Sequence, residues 1–126
     1  MKFYVLDAGG AGLVIGFLLV FMLAAIIIEA VAILIMKYNN AGKAFLDSLI
    51  INIISLSAGF VIITIFDTLD FTNNEIANLF ILYLCTVVIE FLTLYLLNRS
   101  KPVQKTLTVS AVINIFSYII LFFFTR

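Results

Sequence analysis

Glu29 and Glu90 are the residues whose type and setting point most directly to chemistry, because each places a carboxyl group inside a long run of apolar neighbours. Such a group can hold a proton or cation on a path through a membrane, can clamp one helix to another by hydrogen bonds, or can meet a polar group of a second protein. Other site chemistries are thinly supplied. Histidine is absent and Cys85 is the single cysteine, which leaves too few ligands for zinc, haem or an iron–sulfur cluster. The serines have no histidine to activate them and no Gly-x-Ser-x-Gly occurs, so the expectation is no enzyme activity, no cofactor and no metal.

The spacing of the remaining polar residues gathers them around the two acids. Ser48, Asn52, Ser55 and Gly59 follow one another at intervals of four, three and four, which is one face of a helix, and Ser110, Asn114 and Ser117 repeat the pattern later in the chain. Glu29 is flanked on its own face by Ala25 and Ala32, and Glu90 by Thr86 and Thr93 at matching offsets. These faces are expected to point inward. An ionised carboxylate within a span is costly and no lysine or arginine lies deep enough to neutralise it, so both acids are expected to be protonated, hydrogen-bonded or reached by water. Thr86 and Thr93 offer Glu90 local hydroxyls that Glu29 lacks, which predicts that Glu29 depends more on its partner helix.

The elements that must position these groups are membrane spans. Hydrophobic residues make up 65% of the 126, well above the share in a water-soluble domain, so the lipid bilayer is the first expected partner. A helix crosses the bilayer core in roughly 20 apolar residues. Four runs reach that length, approximately 11–36, 44–66, 76–97 and 107–124, which predicts an all-α four-helix transmembrane bundle in a single domain. Lys2 is the only positive charge before the first run, and that run is too long for the core of a cleavable signal, so it reads as a span that stays. Cys85 reads as a small core residue. Gly12 and Gly16 form a G-x-x-x-G pattern, frequent by chance but able to mark a close helix contact. The seven basic and seven acidic residues cancel, leaving no field to hold nucleic acid.

A shift of about 62 residues aligns 48–55 with 110–117, with five of eight positions identical and all three polar positions matched. Glu29 and Glu90, and Lys43 and Lys105, align nearby. The chain therefore reads as two parallel-repeat helical hairpins, about 11–66 and 76–124. Glu29 lies seven residues before the end of its run and Asn52 eight after the start of the next, so both are expected roughly 10–12 Å below one boundary. Lys37, Lys43, Arg99, Lys101 and Lys105 fall in loops 37–43 and 98–105, whereas the middle loop, 67–75, is acidic. The positive-inside rule then puts the two basic loops in the cytoplasm and both termini outside, with a bacterial inner membrane as the expected location. Tyr38 and Tyr95 are expected at the inner interface and Tyr4 at the outer one. The middle loop lacks the ligand order of a calcium loop and reads as a solvated turn.

The run Ile28-Glu29-Ala30, followed after a short basic loop by Asn52-x-x-Ser55-x-x-x-Gly59, resembles the cyanobacterial filament-integrity membrane proteins of the FraC kind. That resemblance implies an accessory role in a cell-envelope assembly, with no catalytic residues to carry over. Residues and resemblance together lead to the expectation of a small non-enzymatic membrane subunit that packs against itself or another membrane protein. The competing expectation is a minimal proton- or cation-coupled transporter or channel that uses the buried glutamates.

Overall fold

Backbone groups in hydrocarbon must find their partners within the segment, so apolar runs of this length fold as helices. The computed structural model of the chain describes residues 8–69 and 75–124, and it contains four α-helices: α1 (Ala8–Ile35), α2 (Ala41–Leu69), α3 (Glu75–Leu97) and α4 (Val103–Phe124). Each is long and apolar enough to cross a membrane. The chain is a multi-pass membrane protein with an all-α four-helix bundle, in which consecutive helices pack on one another and α4 closes back on α1. Of the residues assigned above to the middle loop, Asp67 belongs to the helical backbone of α2 and Glu75 opens α3, while 70–74 lie outside the described residues, as does Tyr4.

Capping explains why α2 and α4 begin earlier than the hydrophobic runs suggest. Asn40 Oδ1 accepts the backbone N–H of Lys43 at 2.9 Å, satisfying one of the orphan donors of the first turn of α2. Pro102 precedes α4, where its missing N–H costs nothing, and its carbonyl accepts from the N–H of Thr106 at 3.1 Å. The end of α1 is a Schellman turn. Lys37 takes φ 51°, the Tyr38 N–H reaches the Ile33 carbonyl at 3.1 Å, and the Lys37 N–H reaches that of Leu34 at 2.9 Å.

That turn folds Tyr38 back into the bundle, so it is fully buried against Ile33 at the end of the bundle nearest the basic loops. Thr106 gives its single hydroxyl hydrogen to the Pro102 carbonyl, so the Tyr38 hydroxyl donates to Thr106 Oγ1 at 2.8 Å. The Lys101 ammonium lies 5.5 Å from the centre of the ring. Burial holds the Tyr38 phenol above its ordinary range, and the charge of Asp47 adds to this.

The packed core occupies one half of the bundle, within residues 25–51 and 90–114, next to the two basic loops. Ile33, Ile51, Leu94 and Ile113, one from each helix, form a fully buried aliphatic layer there. The opposite half is open to its surroundings, with Leu13, Val20, Phe60, Phe80 and Phe123 all exposed. Nothing lies within 4 Å of a Cβ built at Gly12 or Gly16, so the G-x-x-x-G pattern makes no close contact with the described residues of the chain. Cys85 is half-buried at the edge of the packed region.

Candidate functional site

Immediately beyond the aliphatic layer, away from the basic loops, the helices bring their polar residues to one level. On α1, Glu29 is 1% exposed, with Ala25 and Ala32 buried on the same face. Their small side chains let α2 approach, and Asn52 Nδ2 donates to Glu29 Oε2 at 2.5 Å. Ser48, one turn away on α2, lies 2.9 Å from the Ile26 carbonyl and 3.2 Å from the same Oε2. Its hydroxyl has one hydrogen for those two oxygens. The second contact is met when a protonated carboxyl donates to Ser48 Oγ.

The second hairpin repeats these contacts. Glu90 is 3% exposed on α3, and Asn114 Nδ2 of α4 donates to its Oε2 at 2.5 Å. Ser110 donates to the Val87 carbonyl at 2.9 Å, as Ser48 does to that of Ile26. Both asparagines also donate to the carbonyl one turn back on their own helix, Asn52 to Ser48 and Asn114 to Ser110, each at 2.9 Å. The i,i+4 spacing of serine and asparagine thus orients each amide before it meets its acid.

The third polar residue of each stripe crosses to the other hairpin. Ser117 of α4 donates to Glu29 Oε1 at 2.6 Å, and Ser55 of α2 stands beside Glu90, near enough to act on its carboxyl. Asn52–Glu29, Asn114–Glu90 and Ser117–Glu29 therefore bridge three helix seams by hydrogen bonds, and Ser55 beside Glu90 closes the ring at the fourth. Thr86 and Thr93 stand beside Glu90 but do not supply it. Thr86 donates to the Leu82 carbonyl at 2.6 Å and accepts from Tyr118 at 2.9 Å, while Thr93 donates to the Ile89 carbonyl at 2.8 Å. The expected advantage of Glu90 in local hydroxyls is corrected: Glu29 has the richer set of partners, because helix geometry turns each threonine hydroxyl onto its own backbone.

A second polar cluster, at the end of the bundle nearest the basic loops, escaped the sequence reading. Asp47 is fully buried in α2, and its Oδ2 accepts from Asn39 Nδ2 at 2.6 Å and Asn98 Nδ2 at 2.9 Å. Its Oδ1 pairs with the Lys43 ammonium at 2.5 Å. Asn39 also donates to Asn98 Oδ1 at 2.9 Å, so both basic loops and the start of α2 are tied at a single carboxylate. The available sequence signal was the Lys43-x-x-x-Asp47 pair entering an apolar run, with asparagines in both flanking loops.

Among the described residues no group of three or more His, Cys, Asp or Glu side chains is placed to hold a metal ion. What the ring can do chemically is join helices and hold protons between carboxyl, amide and hydroxyl groups. Comparison of the chain with models of protein families, with curated proteins and with solved structures finds no match in any of the three.

Proposed function

We propose that the chain is a small non-enzymatic membrane subunit that packs against itself or a larger membrane complex of the cell envelope, with the Glu29–Glu90 ring fixing the shape it presents. The observation that carries this reading is the direction of the ring's hydrogen bonds, which run from helix to helix across three seams of the bundle. Among the described residues no buried side-chain nitrogen or oxygen lacks a partner. Groups so engaged hold helices together and leave the apolar outer faces to lipid or to another membrane protein. The resemblance of Ile28 to Gly59 to the filament-integrity proteins points the same way. We also read the two hairpins as copies of one unit, on the strength of the matching Asn–Glu and Ser–carbonyl contacts.

The test is a mild-detergent pull-down of the tagged chain with mass spectrometry of what accompanies it. A stoichiometric membrane partner or a second copy is the expected result. A lone monomer that takes up protons or cations in proteoliposomes would instead establish the second reading, a minimal proton- or cation-coupled transporter. One observation favours that reading: Glu29 lies close enough to act electrostatically on Glu90, so the two acids form a pair.

We place loops 37–43 and 98–105 in the cytoplasm and both termini outside, from the five basic residues in those loops. Single cysteines at Asn40 and Thr72, in a background lacking Cys85, are expected to label from opposite sides of the membrane. Labelling of the Asn40 position in intact cells by an impermeant reagent would reverse the orientation.

A further inference from the structure

The four seams of the bundle are not equally tight, and α1 and α4 meet least closely of the neighbouring pairs. They are pinned at two levels, by Ser117–Glu29 in the ring and by the Lys105 ammonium on the Lys37 carbonyl at 3.1 Å near the loops. Between the pins the helices stand apart. A groove of about 220 Å³ opens there to the outside of the bundle, lined by Ile28, Val31, Ile35 and Met36 of α1 and by Val112 and Phe116 of α4, with the small Ala32 at its floor.

The groove's dimensions and its charged end are those of a lipid site. From Ile28 to Met36 it runs roughly 12 Å at about 1.5 Å per residue, most of the roughly 15 Å that one leaflet of hydrocarbon provides. The wall is apolar along that whole length and then meets charge abruptly. Met36 is followed by the exposed Lys37, and the α4 stripe Phe116, Val112, Thr108 leads at helical spacing to the exposed Lys105. Lys101 joins them, with its ammonium over the Tyr38 ring. None of these three lysines has a carboxylate partner among the described residues, where the ion pair present is Lys43–Asp47 on α2. Apart from Arg99, which follows the end of α3, the positive charge left uncompensated at the basic end therefore gathers at the mouth of the α1–α4 groove.

We propose that the α1–α4 seam binds an anionic phospholipid of the leaflet next to the basic loops, with one acyl chain in the groove and the phosphate between Lys37 and Lys105. A zwitterionic lipid fills the groove equally well but brings its own cation to the lysines, so the headgroup decides the preference. This site is separate from the carboxyl ring and does not depend on what the ring does.

Native mass spectrometry of the detergent-released chain, mixed with equal amounts of phosphatidylglycerol and phosphatidylcholine of identical acyl chains, tests it. Phosphatidylglycerol adducts are expected to dominate by roughly tenfold or more, and each lysine removed should reduce that preference by about fivefold. Lys37→Asn suits the left-handed backbone at that position, so combining it with Lys105→Gln removes both charges at little cost to the turn. Arg99→Gln, at the end of α3, removes the same kind of charge away from the groove and should leave the preference intact. Val112→Phe should reduce adducts of both lipids while keeping their ratio. Equal binding by the unaltered chain, a preference that survives Lys37→Asn with Lys105→Gln, or an equal loss in Arg99→Gln would overturn the site. Undiminished adducts in Val112→Phe would remove the acyl chain from the groove.

Discussion

Glu29→Leu is expected to destabilise the folded chain by about 2–4 kcal/mol, whereas Glu29→Gln should cost less than about 1 kcal/mol. Three side-chain hydroxyl and amide groups, from Ser48, Asn52 and Ser117, converge on the Glu29 carboxyl. Interhelical hydrogen bonds in membranes are worth about 0.6 kcal/mol on average and about 1.7 at most, so losing all three costs about 2 kcal/mol at the average and about 5 at the limit, which brackets that range. Leucine leaves those groups stranded in a dry interior. Glutamine keeps the shape and one acceptor oxygen, and it cannot release a proton. Thermal unfolding or denaturant titration in detergent reads the stability, and the pull-down reads the assembly. If Gln preserves both while Leu loses both, the ring is a clamp; if Gln preserves stability but abolishes ion uptake, the ring is a relay. Unchanged stability after Glu29→Leu would show that the ring holds nothing. Glu90→Leu should cost less, because among the described residues the side-chain hydrogen bond to the Glu90 carboxyl is that of Asn114, with Ser55 beside it.

The ring was half legible before any coordinates. Span length and hydropathy set the number of helices, and depth counted from the loops put Glu29 and Asn52 at one level, which suffices to pair residues within a hairpin joined by a short loop. Which of three stripe residues turns toward its own acid depends on how two hairpins cross, and linear spacing does not contain that angle. Ser55 and Ser117 therefore appear in the sequence as neighbours of Asn52 and Asn114, and only the closed bundle shows that each serves the opposite hairpin. Thr86 and Thr93 illustrate the reverse error. Their offsets from Glu90 are right for contact, but a threonine hydroxyl in a helix has an acceptor at i−4 already within reach, and here it takes that acceptor.

The burial of Tyr38 is hidden from the sequence for a related reason. It follows from the left-handed turn at Lys37, a conformation with no glycine or asparagine at that position to announce it. Because the Tyr38 hydroxyl then reaches Thr106 on α4, the turn that ends α1 also sets the distance across the seam in which the groove lies.

Asp47 is the residue whose importance the sequence hid most completely, and its replacement is expected to have the other large effect. A lone acid four residues after a lysine at the start of a helix reads as a surface ion pair of small value. In the bundle, Asp47 is fully buried, while the Lys43 side chain remains 37% exposed and can turn to water when its partner is lost. The cost of Asp47→Leu therefore falls mainly on the Asn39 and Asn98 amides. Each amide loses one of its two acceptors, Asn39 keeping Asn98 Oδ1 and Asn98 keeping the Leu94 carbonyl, and at about 1–3 kcal/mol for each lost acceptor, with Asn39 only half-buried, the total expected is about 2–4 kcal/mol. Asp47→Asn keeps one acceptor oxygen and should lose about half as much. Because the penalty comes from leaving a donor unpaired, removing that donor as well should recover part of it. Asp47→Leu combined with Asn98→Leu is expected to be less destabilised than the sum of the two single changes by about 1 kcal/mol, read from unfolding in detergent. Strict additivity in that cycle would mean that the two residues act separately, and the two basic loops would then lack the shared anchor that this carboxylate gives them.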